Sequence, residues 1–197
     1  LGLILVALLS VPALAAATAF GAKLTTSTQP QDATTCHSQD ELDIPAGGVC
    51  TWVAQIAFEN GSHITAPKNG TLHTLKLVSC DAGKFTLQLV KKSATGNRFQ
   101  ALETGPQIFY KADPRQIDGN PDTECGGPDG NDYIIQTFPI SVPVKTGEFI
   151  AVRTAKLGLL HCSGDPMPIY FPALAVGQGF RTAVAGAGCG LLVRLQY

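Results

Sequence analysis

Ser62–Lys91, SHITAPKNGTLHTLKLVSCDAGKFTLQLVK, is the stretch whose reading decides the fold. Phe85, Leu87 and Leu89 alternate with Lys84, Thr86 and Gln88, the period-2 pattern of a strand with one buried face. Leu75 and Leu77 carry the same alternation upstream. Asp81-Ala82-Gly83 offers a short connection, so the stretch predicts two strands joined by a tight turn. The pattern is structural and carries no chemistry of its own.

Working outward, the alternation recurs. Thr51–Phe58 places Trp52, Ala54, Ile56 and Phe58 on one face, and these in-phase apolar neighbours assign Trp52 to the core rather than to sugar stacking. Phe138, Ile140, Val142 and Val144 form another inner face. Pro139 and Pro143 on the opposite phase delete N–H donors along a single edge, which predicts a strand at the border of a sheet. Lys145–Glu148 turns the chain into a return strand beginning Ile150 and Val152, and Leu191, Val193 and Leu195 are in phase in the last segment. Residues 92–112 predict one or two short strands, His161–Pro172 a loop with a short extended piece, and Val184–Gly190 a glycine-rich connection. Asn60-Gly61 and Asn69-Gly70 read as turn dipeptides, although both also match N-x-[ST], and His73 reads as a surface or interface side chain. No stretch after the apolar N-terminus has amphipathic helical spacing. The expected fold is all-β, a two-layer antiparallel β-sandwich of jelly-roll type spanning Thr51–Tyr197, with an immunoglobulin-like sandwich as the alternative. The Cys…Trp…Cys spacing of true immunoglobulin domains is missing, since Trp52 follows Cys50 by two residues.

The 197 residues suit one domain plus a processed end. A net charge of -1 with 15% charged residues lacks the clustered Lys and Arg that bind nucleic acid or acidic membranes. A 45% hydrophobic content in regular patterns excludes disorder, and 21 glycines with 13 prolines fit a turn-rich fold. Leu1–Ala19, LGLILVALLSVPALAAATA, is uncharged and ends in small residues. It reads as the apolar and cleavage regions of an N-terminally truncated signal peptide, with Ala13-Leu14-Ala15 or Ala17-Thr18-Ala19 as the cleavage signature. A membrane anchor is the competing reading, but the apolar core of about 14 residues is short of the roughly 20 a span requires. The mature domain is therefore expected outside the cell and not to span a membrane. Residues 20–50 are mostly polar, hold two prolines and predict an extended arm or long loop.

Six cysteines, at 36, 50, 80, 125, 162 and 189, all follow the apolar leader. An even count in an exported chain implies disulfides, with fifteen connectivities open. Metal ligation is disfavoured, because no C-x-x-C occurs and the adjacent pairs Cys36-His37 and His161-Cys162 lack ligand spacing. Cys36–Cys50 would close a short loop, contributing about 3 kcal/mol by chain entropy. Cys80 closes the strand LKLVSC and Cys189 opens the strand LLVRLQY. If those strands are antiparallel neighbours, Cys80–Cys189 follows, and Cys125–Cys162 by elimination.

The segments ITAPKNGTLHTLKLVS, KFTLQLVK, FPISVPVKTGEFIAV, YFPALAVGQG and GLLVRLQY, in that order over Ile64–Tyr197, resemble an extracellular β-sandwich domain of secreted bacterial, chiefly actinobacterial, proteins. The resemblance implies the sandwich and export and brings no functional residues with it. This chain departs from the pattern in its six cysteines and in a long insertion, Asp113–Asp132.

No G-x-S-x-G, H-E-x-x-H or G-x-x-x-x-G-K-[ST] motif occurs. His37, His63, His73 and His161 could pair with a Ser or Asp in space, but any chain of this size offers such combinations, which leaves an unrecognised hydrolase as the least favoured reading. The chemistry that stands out is the insertion DPRQIDGNPDTECGGPDGND. Asp118, Asn120, Asp122, Asp129, Asn131 and Asp132, with glycines for sharp turns, make it a candidate calcium loop, although its spacing departs from an EF-hand. The alternative is a solvated turn-rich loop whose side chains cap their own backbone. The expected function is a non-catalytic exported module that binds glycan, cell envelope or protein through its loops, against a purely structural secreted domain.

Overall fold

The computed structural model describes residues 19–25, 28, 30, 34–36, 44–55, 63–113 and 133–197, without the side chains of 163–166. In chain order the strands are β1 (Ala19–Gly21), β2 (Thr34–Thr35), β3 (Cys50–Val53), β4 (Gly70–Leu77), β5 (Gly83–Lys92), β6 (Arg98–Tyr110), β7 (Gln136–Val144), β8 (Phe149–Thr154), β9 (Lys156–Leu157), β10 (Leu160–Tyr170), β11 (Arg181–Thr182), β12 (Ala185–Leu191) and β13 (Val193–Gln196). A four-stranded sheet, β1-β13-β4-β7, faces a seven-stranded sheet, β11-β6-β5-β8-β3-β10-β12, and β2 and β9 form a small separate ladder. Every ladder is antiparallel. The fold is an all-β sandwich, and no α-helix occurs among the described residues.

The alternating residues meet between the layers. Leu75 and Leu77 of β4 and Val142 and Val144 of β7 pack in one cluster with Phe85, Leu87 and Leu89 of β5, Ile150 and Val152 of β8 and Trp52 of β3. Trp52 is fully buried, as its in-phase neighbours predict. Ile56, Phe58 and the Asn60-Gly61 turn lie outside the described residues. β7 is a border strand of the smaller sheet, where its two prolines cost no ladder bond to a further strand.

β4 and β5 are not a hairpin. β4 lies in the smaller sheet between β13 and β7, β5 lies in the larger between β6 and β8, and residues 78–82 cross between layers. Val78, Ser79 and Cys80 are buried along that crossing, and Ser79 Oγ donates to the Lys111 carbonyl at 3.2 Å. Period-2 alternation specifies which face is buried; it is the same for a hairpin and for a strand that feeds the opposite layer.

Three segments are more continuous as strands than expected. Residues 98–110 form one thirteen-residue strand, β6, whose Gly105-Pro106 sits at a register shift against β5 instead of at a turn. β10 runs from Leu160 to Tyr170 through its prolines, with a register shift between Cys162 and Met167 absorbing the misfit. β12 is a strand written in small residues. Ala185, Ala187, Cys189 and Leu191 occupy one phase and Gly186, Gly188 and Gly190 the other.

The disulfide pattern differs from the expected set in the same way. Cys36–Cys50 is present. Cys189 bonds Cys162, directly opposite it on β10, so Cys80–Cys189 and Cys125–Cys162 are both excluded. β4 and β13 are antiparallel neighbours, with Leu77 opposite Val193. The chain changes layer at Leu192, however, whose N–H bonds the Leu159 carbonyl while its own carbonyl accepts from Val78. Cys189 therefore belongs to the larger sheet, away from the end of β4. Cys80 is itself disulfide-bonded, and Cys125 lies outside the described residues.

Residues 20–50, expected as a polar arm, contribute short strands at two places. β1 borders the smaller sheet against β13, and Phe20 is fully buried. β2 pairs with β9, and the Cys36 N–H donates to Ala155 O at 2.9 Å. Gly21 has φ +95°, and a Cβ there would stand 2.4 Å from the Val193 carbonyl oxygen and 2.6 Å from Ile150 Cδ1.

The outer face of the larger sheet has a second apolar layer over part of its width. Val53, Val90, Phe99, Ala101, Ala151, Tyr170 and Leu174 cluster there, with Phe99 edge-on to Phe149 at 5.3 Å. Gln88, on the outward phase of β5, is buried beneath this layer. The Thr51 hydroxyl donates to Gln88 Oε1 at 2.8 Å, Gln88 Nε2 donates to the Leu174 carbonyl at 3.0 Å, and the Leu174 N–H donates to Thr51 Oγ1 at 2.9 Å. The three residues satisfy one another in a closed ring.

Two stability predictions follow from these contacts. Gly21→Ala forces both a clash with backbone and a disfavoured φ, and is expected to lower the urea midpoint by the equivalent of about 2 kcal/mol or more. An unchanged midpoint would mean that β1 is not held against β13. Gln88→Leu keeps the volume but leaves the Leu174 carbonyl without its donor, with an expected loss of about 1–3 kcal/mol by thermal unfolding.

Candidate functional site

The apolar layer stops short of one end of the larger sheet, and there the outward face lies open. The registers set out a small grid of side chains. Gln107 of β6 is opposite Thr86 of β5, which is opposite Arg153 of β8. One row along, Phe109 of β6 is opposite Lys84 of β5. Directly opposed residues in an antiparallel pair point to the same face. Phe85, Ile108 and Tyr110 point the other way, into the core. A cleft of about 430 Å³ lies on this face, lined by Lys84, Thr86, Gln107, Arg153, Lys156 and Val49 among others.

The floor is fixed from beneath and from the side. Thr154 Oγ1 stands 2.8 Å from the carbonyls of both Lys84 and Lys156. The Cys36–Cys50 bond anchors the segment that brings Val49 to the rim. Beneath β6 and β5 the Tyr110 ring packs 6.0 Å from Phe85, and burial pushes the Tyr110 phenol up, the Gly158 N–H opposing it.

Above this floor the side chains are unsatisfied in two ways. Phe109 is 65% exposed, the most exposed of the large apolar side chains among the described residues. Lys84, Arg153 and Lys156 gather three cations on one patch. Lys156 meets Asp81 at 3.6 Å, an exposed pair of small energetic weight, while Lys84 and Arg153 make no ion pair among the described residues. The arrangement offers two neutral polar side chains (Gln107 and Thr86) and clustered positive charge in the cleft, with the exposed Phe109 ring beside it on the same face.

A second groove runs between β6 and the border strand β7. Clefts of about 520, 470 and 460 Å³ adjoin through shared walls at Glu103, Pro143, Leu102, Lys145 and Glu148. Gly105 makes it narrow, since a Cβ there would stand 3.1 Å from Val142 Cγ2. This groove is larger but chemically weaker. Pro106, Pro139 and Pro143 line its first part, and its lysines are offset by Glu103 and by Glu148, whose Oε2 is taken by the Lys145 N–H at 3.0 Å.

The sequence-predicted candidates fall elsewhere. Asp118, Asn120, Asp122, Asp129, Asn131 and Asp132 lie outside the described residues. Asp113, at the head of that loop, is buried. Its N–H donates to Cys80 O at 3.0 Å and its Oδ2 accepts from the Ile134 N–H at 3.2 Å, so it fastens the base of the loop. His63 and His73 are exposed and His161 is half-buried, and His37 lies outside the described residues. No group of three His, Cys, Asp or Glu suited to a metal occurs among the described residues. Asn69 acts in turn chemistry across two loops, its Oδ1 accepting from the Thr146 N–H at 2.8 Å.

Phe109 is the functional candidate that the sequence reading passed over. Its signal was present in Ile108-Phe109-Tyr110: two core residues on one phase leave the aromatic between them on the other. No described helix is long and apolar enough to cross a membrane, and two disulfides are compatible with an oxidising compartment. Comparison with known proteins finds no matching family model, no matching curated protein and no matching solved structure, so the site stands on its own geometry.

Proposed function

We propose that this chain is an exported, non-catalytic binding module that holds a cell-envelope glycan against the open outer face of its larger sheet. The observation that carries the reading is Phe109. A phenyl ring exposed on a long strand paired to β5, beside a cleft with polar and charged walls, is costly to leave in water and well suited to the apolar face of a sugar ring. The sheet supplies the rigidity, because β6 is paired along its length to β5, which is itself held by β8. Export is supported by the uncharged apolar leader, by the paired cysteines, and by the likeness of Ile64–Tyr197 to secreted bacterial sandwich domains.

The place of β1 bears on processing. Cleavage after Ala15 leaves Ala19–Gly21 complete as a strand, whereas cleavage after Ala19 removes the residue opposite Gln196. Mass spectrometry of the protein exported from a full-length gene is expected to find Ala16 at the N-terminus. Recovery of uncleaved chain in membranes would sink the export reading.

For binding, a glycan array and cell-wall pull-down with the mature protein are expected to give a retained polymer. Phe109→Ala is expected to weaken that retention about tenfold, equivalent to about 1.4 kcal/mol, without shifting the melting temperature. An array on which nothing is retained would favour the purely structural role.

A further inference from the structure

We propose that the glycan is acidic, with one ring stacked on Phe109 and a carboxylate or phosphate held between Lys84 and Arg153; this rests on the binding reading above. Lys84 is directly opposite Phe109 on the neighbouring strand, a separation of about 5 Å, so a ring lying on Phe109 has Lys84 along its edge. Arg153 is opposite Thr86, two residues from Lys84 on β5, which makes Lys84 and Arg153 diagonal neighbours about 7–8 Å apart at Cα. Both side chains are long enough to meet one anion placed over that diagonal, and Arg153 offers a fork suited to either oxyanion.

The charge state of the patch selects the ligand. Lys156 has Asp81 3.6 Å away, while Lys84 and Arg153 make no ion pair among the described residues. Burying an apolar ligand against them would strand both charges, whereas an anion on the diagonal satisfies them. Gln107 and Thr86, in the same row as Arg153 and next to the row of Phe109 and Lys84, supply neutral partners for sugar hydroxyls. Single-stranded nucleic acid also joins flat rings to anions, but it carries a charge at every nucleotide. Two clustered cations in a protein of net charge -1 give little of the counterion release that such binding depends on.

The test uses the mature protein and four probes: polygalacturonate for carboxylate, glycerol-phosphate teichoic acid for phosphate, neutral dextran, and an oligothymidylate. The expected result is saturable binding of at least one acidic glycan, weakened tenfold or more between 50 and 500 mM NaCl, with dextran and oligothymidylate much weaker. Lys84→Gln and Arg153→Gln are each expected to reduce that binding at least fivefold, while Lys91→Gln, in the groove beside β7, leaves it unchanged. Equal loss from Lys91→Gln would reveal diffuse charge attraction and overturn the site. Tight, salt-insensitive binding of neutral glycans that still needs Phe109 would overturn the acidic ligand and leave the binding module standing. Preference for oligothymidylate would replace glycan with nucleic acid. Binding of none of the probes, by a protein that the array shows to retain a neutral polymer, overturns the inference alone.

Discussion

Gln88 is a buried amide in the middle of the larger sheet, and much of the architecture follows from keeping it satisfied. An amide sealed from water without partners costs more than a hydrogen bond returns. Thr51 and the backbone of Leu174 close on it, and that closure draws the chain beyond β10 across the outer face of β5 and β3. With Leu174 come Tyr170 and the packing of Phe99 against both Tyr170 and Phe149. One part of the outer face thus becomes a third layer. Burial pushes the Tyr170 phenol up to about 12, so it stays neutral within that layer at ordinary pH.

The other part of the face is left open by the same arrangement. Thr86 lies one outward position from Gln88 along β5 and is only half-buried, and beyond it come Lys84 and Phe109. A sheet covered on both faces would leave no open outer surface, and a sheet bare on its whole outer face would expose Val53, Val90 and Phe99. The boundary between these two conditions is where the cleft forms. Its rim at Val49 belongs to the segment tied down by Cys36–Cys50.

The borders of the sheets obey a separate constraint, since unpaired strand edges recruit other chains. β7 carries Pro139 and Pro143, β6 carries Pro106 at a register shift, and β12 alternates alanine with glycine. The groove between β6 and β7 is the space that these blunted edges leave. Its size reflects the divergence of two layers, and its proline lining fits protection better than recognition.

Alternation along each segment was enough to write the inner face. Phe85, Leu87 and Leu89, Val142 and Val144, and Val193 and Leu195 were legible as core because a strand's two faces are separated by a period that no neighbour can change. The prolines likewise put β7 at a border, since a missing N–H is a property of the residue alone. Partnership was not legible. The same alternation serves a hairpin or a change of layer, and only the packed sandwich sent β4 and β5 to opposite sheets and turned the chain at Leu192. That turn decided the disulfide of Cys189, because a crosslink depends on which strand is adjacent in space. It also decided the candidate site. Phe109, Lys84 and Arg153 are remote in sequence, and only the registers of β6, β5 and β8 bring them onto one face.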